Sequence, residues 1–137
     1  MENSTLSAKL DIQELAARYC DGADRQEWEK VVALFDEDGE FDASSVYGQT
    51  MHGHAEILQF MRSAPACLGH HPTGLFSTIE SESAARARLK MLTLFKSSTF
   101  TVDYDWELTR TNGQWRIKKQ VISVISQQSH RAHRESA

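Results

Sequence analysis

The stretch Ala84-Ala85-Arg86-Ala87-Arg88-Leu89-Lys90-Met91-Leu92-Thr93-Leu94-Phe95-Lys96 decides the class of fold. Ala85, Ala87, Leu89 and Met91 fall on alternate positions, with Arg86, Arg88 and Lys90 between them. That two-residue period belongs to a strand buried on one face. Thr99 to Arg110 repeats it, with Val102, Tyr104, Trp106 and Leu108 on one side and Asp103, Asp105 and Glu107 on the other. Asn112-Gly113 follows, a pair that accepts the positive φ both central positions of a tight hairpin turn require. The return strand runs from Gln114 to about Ser126 through Trp115, Ile117, Val121 and Val124. Upstream, His70 to Ile79 reads as one more strand, closed by Glu80-Ser81-Glu82-Ser83.

Before His70 the period changes. Ala8, Ile12, Leu15, Ala16, Tyr19 and Ala23 are spaced by three and four, one face of a helix from about Leu6 to Gly22. Asp24-Arg25-Gln26-Glu27 has the spacing of a capping box, which predicts a second helix with Trp28, Val31, Val32 and Phe35 on one face. Asp36-Glu37-Asp38-Gly39 stops it, and Glu40 to Ser44 reads as a short strand. Tyr47-Gly48 reads as a turn, and Gly53 opens a third helix carrying Ile57, Leu58 and Met61, with Pro65 at or beyond its end.

The expected order is α-α-β-α-β-β-β-β, an α+β domain with three N-terminal helices packed on a strongly curved antiparallel sheet. A twisted sheet that curls around a helix leaves a cavity between the two, the natural place for a ligand. One domain is expected over residues 1–126, with 127–137 a polar tail.

Composition narrows the function classes. The chain has 137 residues, 40% apolar and 25% charged, which suffices for a core without staples. The net charge of −4, with both signs interspersed, argues against a nucleic-acid partner. Two cysteines without metal-type spacing argue against a disulfide framework and against a metal site, and make a reduced, cytoplasmic setting the expectation. The first residues lack an apolar core and no run of about 18 apolar residues occurs, so neither a signal peptide nor a membrane span is expected.

The run Arg18-Tyr19-Cys20-Asp21-Gly22-Ala23-Asp24-Arg25-Gln26-Glu27-Trp28, followed by Leu34-Phe35-Asp36-Glu37-Asp38, resembles the opening of SnoaL-like members of the NTF2-like superfamily. Gly53 with Ile57, His70 at the head of the meander, and Asn112-Gly113 two residues before Trp115 continue the likeness over roughly Leu6 to Ser126. The resemblance is nearest to members that take a proton from carbon: scytalone dehydratase, bile acid 7α-dehydratase and hexachlorocyclohexane dehydrochlorinase. It implies a cone-shaped fold and a catalytic pair, Asp24 and His70, and it matches Tyr19 to the tyrosine of the bile acid enzyme. It also implies a dimer or trimer. A second catalytic histidine of scytalone dehydratase has no counterpart; Phe95 stands nearest its place. A further pocket aspartate of the bile acid enzyme has no match either.

The chemistry suits those residue types. Neutral imidazole is the natural base near pH 7, and a carboxylate on one ring nitrogen fixes its tautomer and stabilises the imidazolium that forms. Asp24 would orient, His70 would abstract, and Tyr19 would donate to a leaving hydroxyl or a developing enolate. Tyr104, Trp106, Tyr47, Phe95 and Met91 are the expected substrate-contacting wall. No cofactor is called for, since neither metal clusters nor phosphate-binding glycine loops occur.

Plainer readings stand beside these. Asp24 can serve as a helix N-cap, alone or with its second role, and Tyr19 as a core tyrosine. A five-residue separation turns Asp24 about 140° from Tyr19 on a helix, so convergence asks for a bend near Gly22. His70 and His71 point to opposite faces of a strand; the resemblance favours His70. His52 and His54 read as rim residues, His130 and His133 as tail, and Cys20 and Cys67 as small apolar residues. The expected function is a cofactor-independent lyase or isomerase acting on a small hydrophobic, polycyclic or aromatic metabolite. The alternative is a non-catalytic ligand-binding protein or a structural module like a dioxygenase β subunit.

Overall fold

The computed structural model describes residues 3–130. The long helix comes first: α1, Asn3–Asp24, buries Ile12, Leu15, Ala16, Tyr19, Cys20 and Ala23 along one face. Each large apolar side chain placed this way contributes about 1.5–3 kcal/mol. Lys9 Nζ donates to the Ser77 carbonyl and ties the helix to the sheet.

The end of α1 corrects one expectation. Helix α1 runs straight through Gly22, and Asp24 is its last residue rather than the cap of the next. Glu27 N donates to Gly22 O and Gln26 N to Ala23 O, with Gln26 at φ 58°. This is the paired 6→1 and 5→2 closure of a helix C-terminus, with glutamine in the left-handed position. The residues read as a capping box therefore end α1, and the Asp24 carboxylate caps nothing. The next helix, α2, is short, Trp28–Val32, and the Glu27 side chain at its N-cap pairs with Lys30 and caps no backbone N–H. Gly22 has its place here: a Cβ on it would sit 2.8 Å from Val31 Cγ2.

Phe35 also moves. It opens a strand, β1, Phe35–Ala43, instead of extending the second helix. Ile117 N donates to Leu34 O, and Phe35 pairs with Ile117, so a tertiary partner decides the conformation. A one-turn helix, α3 (Ser44–Tyr47), and a short strand, β2 (Gln49–His52), follow, the latter with a single buried residue, Met51. Helix α4, Gly53–Ser63, packs Ile57 and Met61 inward.

The four long strands are β3 (Gly69–Ile79), β4 (Ala84–Leu94), β5 (Ser98–Thr111) and β6 (Gln114–Ser129). The open sheet has six strands in the order β2-β1-β6-β5-β4-β3. It is not wholly antiparallel: β1 and β6 run parallel. These two are joined through the rest of the chain, so no hairpin forces their directions to alternate. Asn112 and Gly113 carry φ 52° and 76°, as the hairpin requires. Strand β6 extends to Ser129, so Gln127 to Ser129 pair with β5 instead of starting a tail. The rest of the expected tail, beyond His130, lies outside the described residues.

The alternation on β4 and β5 holds throughout: Ala85, Ala87, Leu89 and Met91 are buried, as are Val102, Tyr104, Trp106 and Leu108. On the opposite face Arg88 meets Asp105 at 2.7 Å and Lys90 meets Asp103 at 2.6 Å. On β6 the alternation breaks. The pairing slips between Glu107 and Leu108, so Trp115 and Ile117 face inward but the next inward residues are Gln120 and Ile122. Val121 thereby faces out, against expectation.

Candidate functional site

Strand β3 and the last turn of α1 meet at His70. Its ring Nδ1 lies 2.8 Å from Asp24 Oδ1, and its backbone N–H donates to the same oxygen at 2.9 Å. A carboxylate only accepts, so Nδ1 carries a proton, and in the neutral imidazole Nε2 is the nitrogen with the lone pair. The two side chains retain 13% and 28% of their exposure, so the pair is sheltered but reachable. His71, on the opposite face of the strand, is exposed.

His70 lines a cavity of about 110 Å³ between α1, α4 and the inner face of the sheet. Tyr19, Tyr104, Tyr47 and Phe95 share that lining, as sequence reasoning placed them. Trp106 and Met91 do not. Both are buried behind the wall, where Met91 Sδ lies 3.9 Å from Cys20 Sγ. Trp28, Phe41, Phe60, Cys67 and Thr93 were not foreseen as lining. Thr93 was visible as a polar residue two positions after Met91 on the inward face of its strand, and it pairs with His70 across the sheet.

The polar interior of this wall is a relay. Trp106 Nε1–H donates to Gln120 Oε1 at 2.8 Å, and Gln120 Nε2–H donates to Tyr19 Oη at 2.9 Å. Gln120 is fully buried, and sequence reasoning missed it because the slip on β6 carries no residue signal. Burial pushes the Tyr19 hydroxyl well above its ordinary range, and Tyr104 likewise. Both therefore stay protonated as potential donors. Burial also raises the two thiols, Cys20 to about 12 and Cys67 upward, and the Cys67 S–H has the Gly69 and Leu94 carbonyl oxygens as alternative acceptors.

A larger groove of about 470 Å³ runs across the outer face of the sheet. Its charges already face one another, as in Arg88 with Asp105 and Lys119 with Glu40, which leaves little for a ligand to engage. His54 bonds the Phe35 carbonyl at 2.8 Å and His52 faces Glu40, both away from the cavity. Among the described residues no group of three or more His, Cys, Asp or Glu is placed to hold a metal ion. Nor is any described helix long and apolar enough to cross a membrane.

Comparison with known proteins agrees with this architecture. Residues 4–121 match the SnoaL-like domain model, and the chain belongs to that family. Among solved structures, the dehydrochlorinase LinA superposes with a TM-score of 0.84 at 17% identity, covering 98% of this chain and 96% of that one. A candidate scytalone dehydratase from Novosphingobium aromaticivorans DSM 12444 gives 0.81 at 18% identity, covering 97% and 94%. An NTF2-like protein with a cystatin-like fold from the same species gives 0.73 at 24% identity, covering 91% of each chain. At these identities the likeness establishes the fold. No curated protein matches the chain significantly.

Proposed function

We propose that the protein is a cofactor-independent lyase or isomerase that removes a proton from carbon, with His70 as base. The observation that carries this reading is the Asp24–His70 contact at 2.8 Å, opening on a cavity. Asp24 holds the Nδ1 proton, which leaves Nε2 as the acceptor. A C–H next to an electron-withdrawing group gives its proton to Nε2, and its electron pair moves into the new double bond. In a dehydration the leaving hydroxyl departs with that proton as water. In an isomerisation the proton returns to another carbon. Tyr19 donates to the leaving oxygen or to the enolate. Positioned proton transfer of this kind contributes ~10²–10⁴-fold.

The relatives supply a class, not a substrate: dehydratase and dehydrochlorinase chemistry are both eliminations begun by loss of a proton. Size narrows the choice. A cavity of roughly 150 Å³ takes one benzene ring, so about 110 Å³ suits a molecule of one ring or less. The cavity is not fully enclosed, so a polycyclic substrate of the kind the resemblance implies would seat one ring inside and leave the rest at its mouth. Tyr104, Tyr47 and Phe95 would contact the substrate. Two or three copies would associate through the broad outer face of the sheet.

The test is deuterium uptake. Wild type in D₂O should place deuterium at the carbon beside the carbonyl of small cyclic ketones, and His70→Ala should lose at least ~10²-fold of that rate. Equal rates in the two proteins would refute the role of His70. Binding of the ketones with no exchange would favour a protein that only holds its ligand.

A further inference from the structure

We infer that Gln120 is a positioning residue: locked by Trp106, it turns the Tyr19 hydroxyl into a donor aimed at the cavity. This rests on the proposed reaction, whose enolate or leaving oxygen it would serve.

The argument is one of direction. An indole N–H can only donate, so the Gln120 atom at 2.8 Å from Trp106 Nε1 must be the amide oxygen. The amide nitrogen is then the atom facing Tyr19, and it too can only donate. Tyr19 Oη is thereby an acceptor on its buried side. Its own proton has no use there and is left for the space Tyr19 lines, the cavity. A buried glutamine beside a tyrosine would otherwise be free to flip and take that proton onto its carbonyl. Trp106 forbids the flip, from a position that does not touch the cavity.

A second donor stands next to the first. The Tyr104 ring meets the Tyr19 ring edge-on, with centroids 6.1 Å apart, and lines the same cavity. No hydrogen bond from another described residue reaches the Tyr104 hydroxyl. Two phenolic donors beside one imidazole acceptor define a ligand. It is a one-ring molecule with a carbonyl or similar oxygen that accepts at the tyrosines, and an acidic C–H directed at His70 Nε2. A hydrocarbon of equal size would leave the donors unpaired.

Cyclohex-2-enone, which has the acceptor, and toluene, which lacks it, are suitable probes. The infrared carbonyl stretch of the bound enone reports the donors. In wild type it should lie at or below its frequency in water. Trp106→Phe frees the amide to rotate and accept the Tyr19 proton, and should raise the stretch toward its value in an apolar solvent. Gln120→Met leaves no carbonyl on the buried side to take that proton, and should leave the stretch unchanged. Trp106→Phe should weaken enone binding about threefold to tenfold, the worth of one hydrogen bond, and leave toluene binding within twofold, whereas Gln120→Met should leave both within about twofold.

An unchanged stretch and enone affinity in Trp106→Phe would overturn the inference, as would a raised stretch in Gln120→Met or equal weakening of both probes by Trp106→Phe. If neither variant folds, nuclear Overhauser contacts in wild type decide it. The Gln120 amide protons must lie against the Tyr19 ring, and amide protons against the Trp106 indole instead would overturn the lock. Deuterium uptake by the enone separates this from the role of His70. A shifted carbonyl without exchange removes the base and leaves the donor arrangement standing. Exchange with an unshifted carbonyl does the reverse.

Discussion

Removing one oxygen from the buried relay should cost measurable stability, and the geometry says how the cost is shared. Tyr19→Phe keeps the ring and its packing against Tyr104 and Phe35 but deletes the acceptor of the Gln120 amide. Gln120 has 0% exposure, so water cannot replace the lost partner. An orphaned buried donor costs about 1–3 kcal/mol. With a urea dependence of about 1–3 kcal/mol/M, the unfolding midpoint should fall by roughly 1 M. Gln120→Leu alone should cost a similar amount, because it orphans the Trp106 indole. In the double variant the Tyr19 change has nothing left to orphan. The two costs should therefore fall short of their sum by about 1–2 kcal/mol. Urea unfolding of the four proteins, followed by tryptophan fluorescence at constant slope, measures that coupling. Costs that add to within about 0.3 kcal/mol would show that Tyr19, Gln120 and Trp106 do not form one network.

Other outcomes follow from the same geometry. With its thiol pushed to about 12, Cys20 should be only about one part in 10⁴ thiolate at pH 8. Iodoacetamide should leave it unmodified in the native protein, with the rate rising only as pH climbs toward that value; labelling at the speed of a free thiol would contradict its burial. Cys67, raised less and lining the cavity, should react slowly at pH 8 and more slowly still in saturating cyclohexanone, which cannot add to a thiol in conjugate fashion. Tyr47 is 38% exposed and closes the cavity against Phe60, with ring centroids 5.4 Å apart. Tyr47→Ala should therefore admit a fused two-ring ketone such as 1-indanone at least about tenfold more tightly than wild type does, by titration calorimetry. No gain would mean that another residue sets the size limit.

The sheet half of this molecule was legible because its strands are buried on one face and their alternation is nearly unbroken from Ala85 to Leu108. What failed depended on backbone pairing that the side chains do not announce. Phe35 reads as the last apolar residue of a helix until Ile117 pairs with it. Asp24 to Glu27 carries the side chains of a helix start, yet backbone bonds to Gly22 and Ala23 make it a helix end. Helix α1 is continuous through Gly22, and Tyr19 and Asp24 stay on different sides of it. Tyr19 enters the wall, while Asp24 contacts His70 from outside the lining. Gln120 could not have been found from the residues alone, because a slip of one position on β6 reverses which side chains face inward.

The claim on which the rest depends is that His70 presents a bare Nε2 to the cavity because Asp24 holds the proton on Nδ1. Nitrogen-15 spectra of histidine-labelled protein, recorded where the imidazole is neutral, report this directly. The account predicts that His70 carries its proton on Nδ1 in wild type and loses that preference in Asp24→Ala. A wild-type His70 protonated on Nε2 would contradict it.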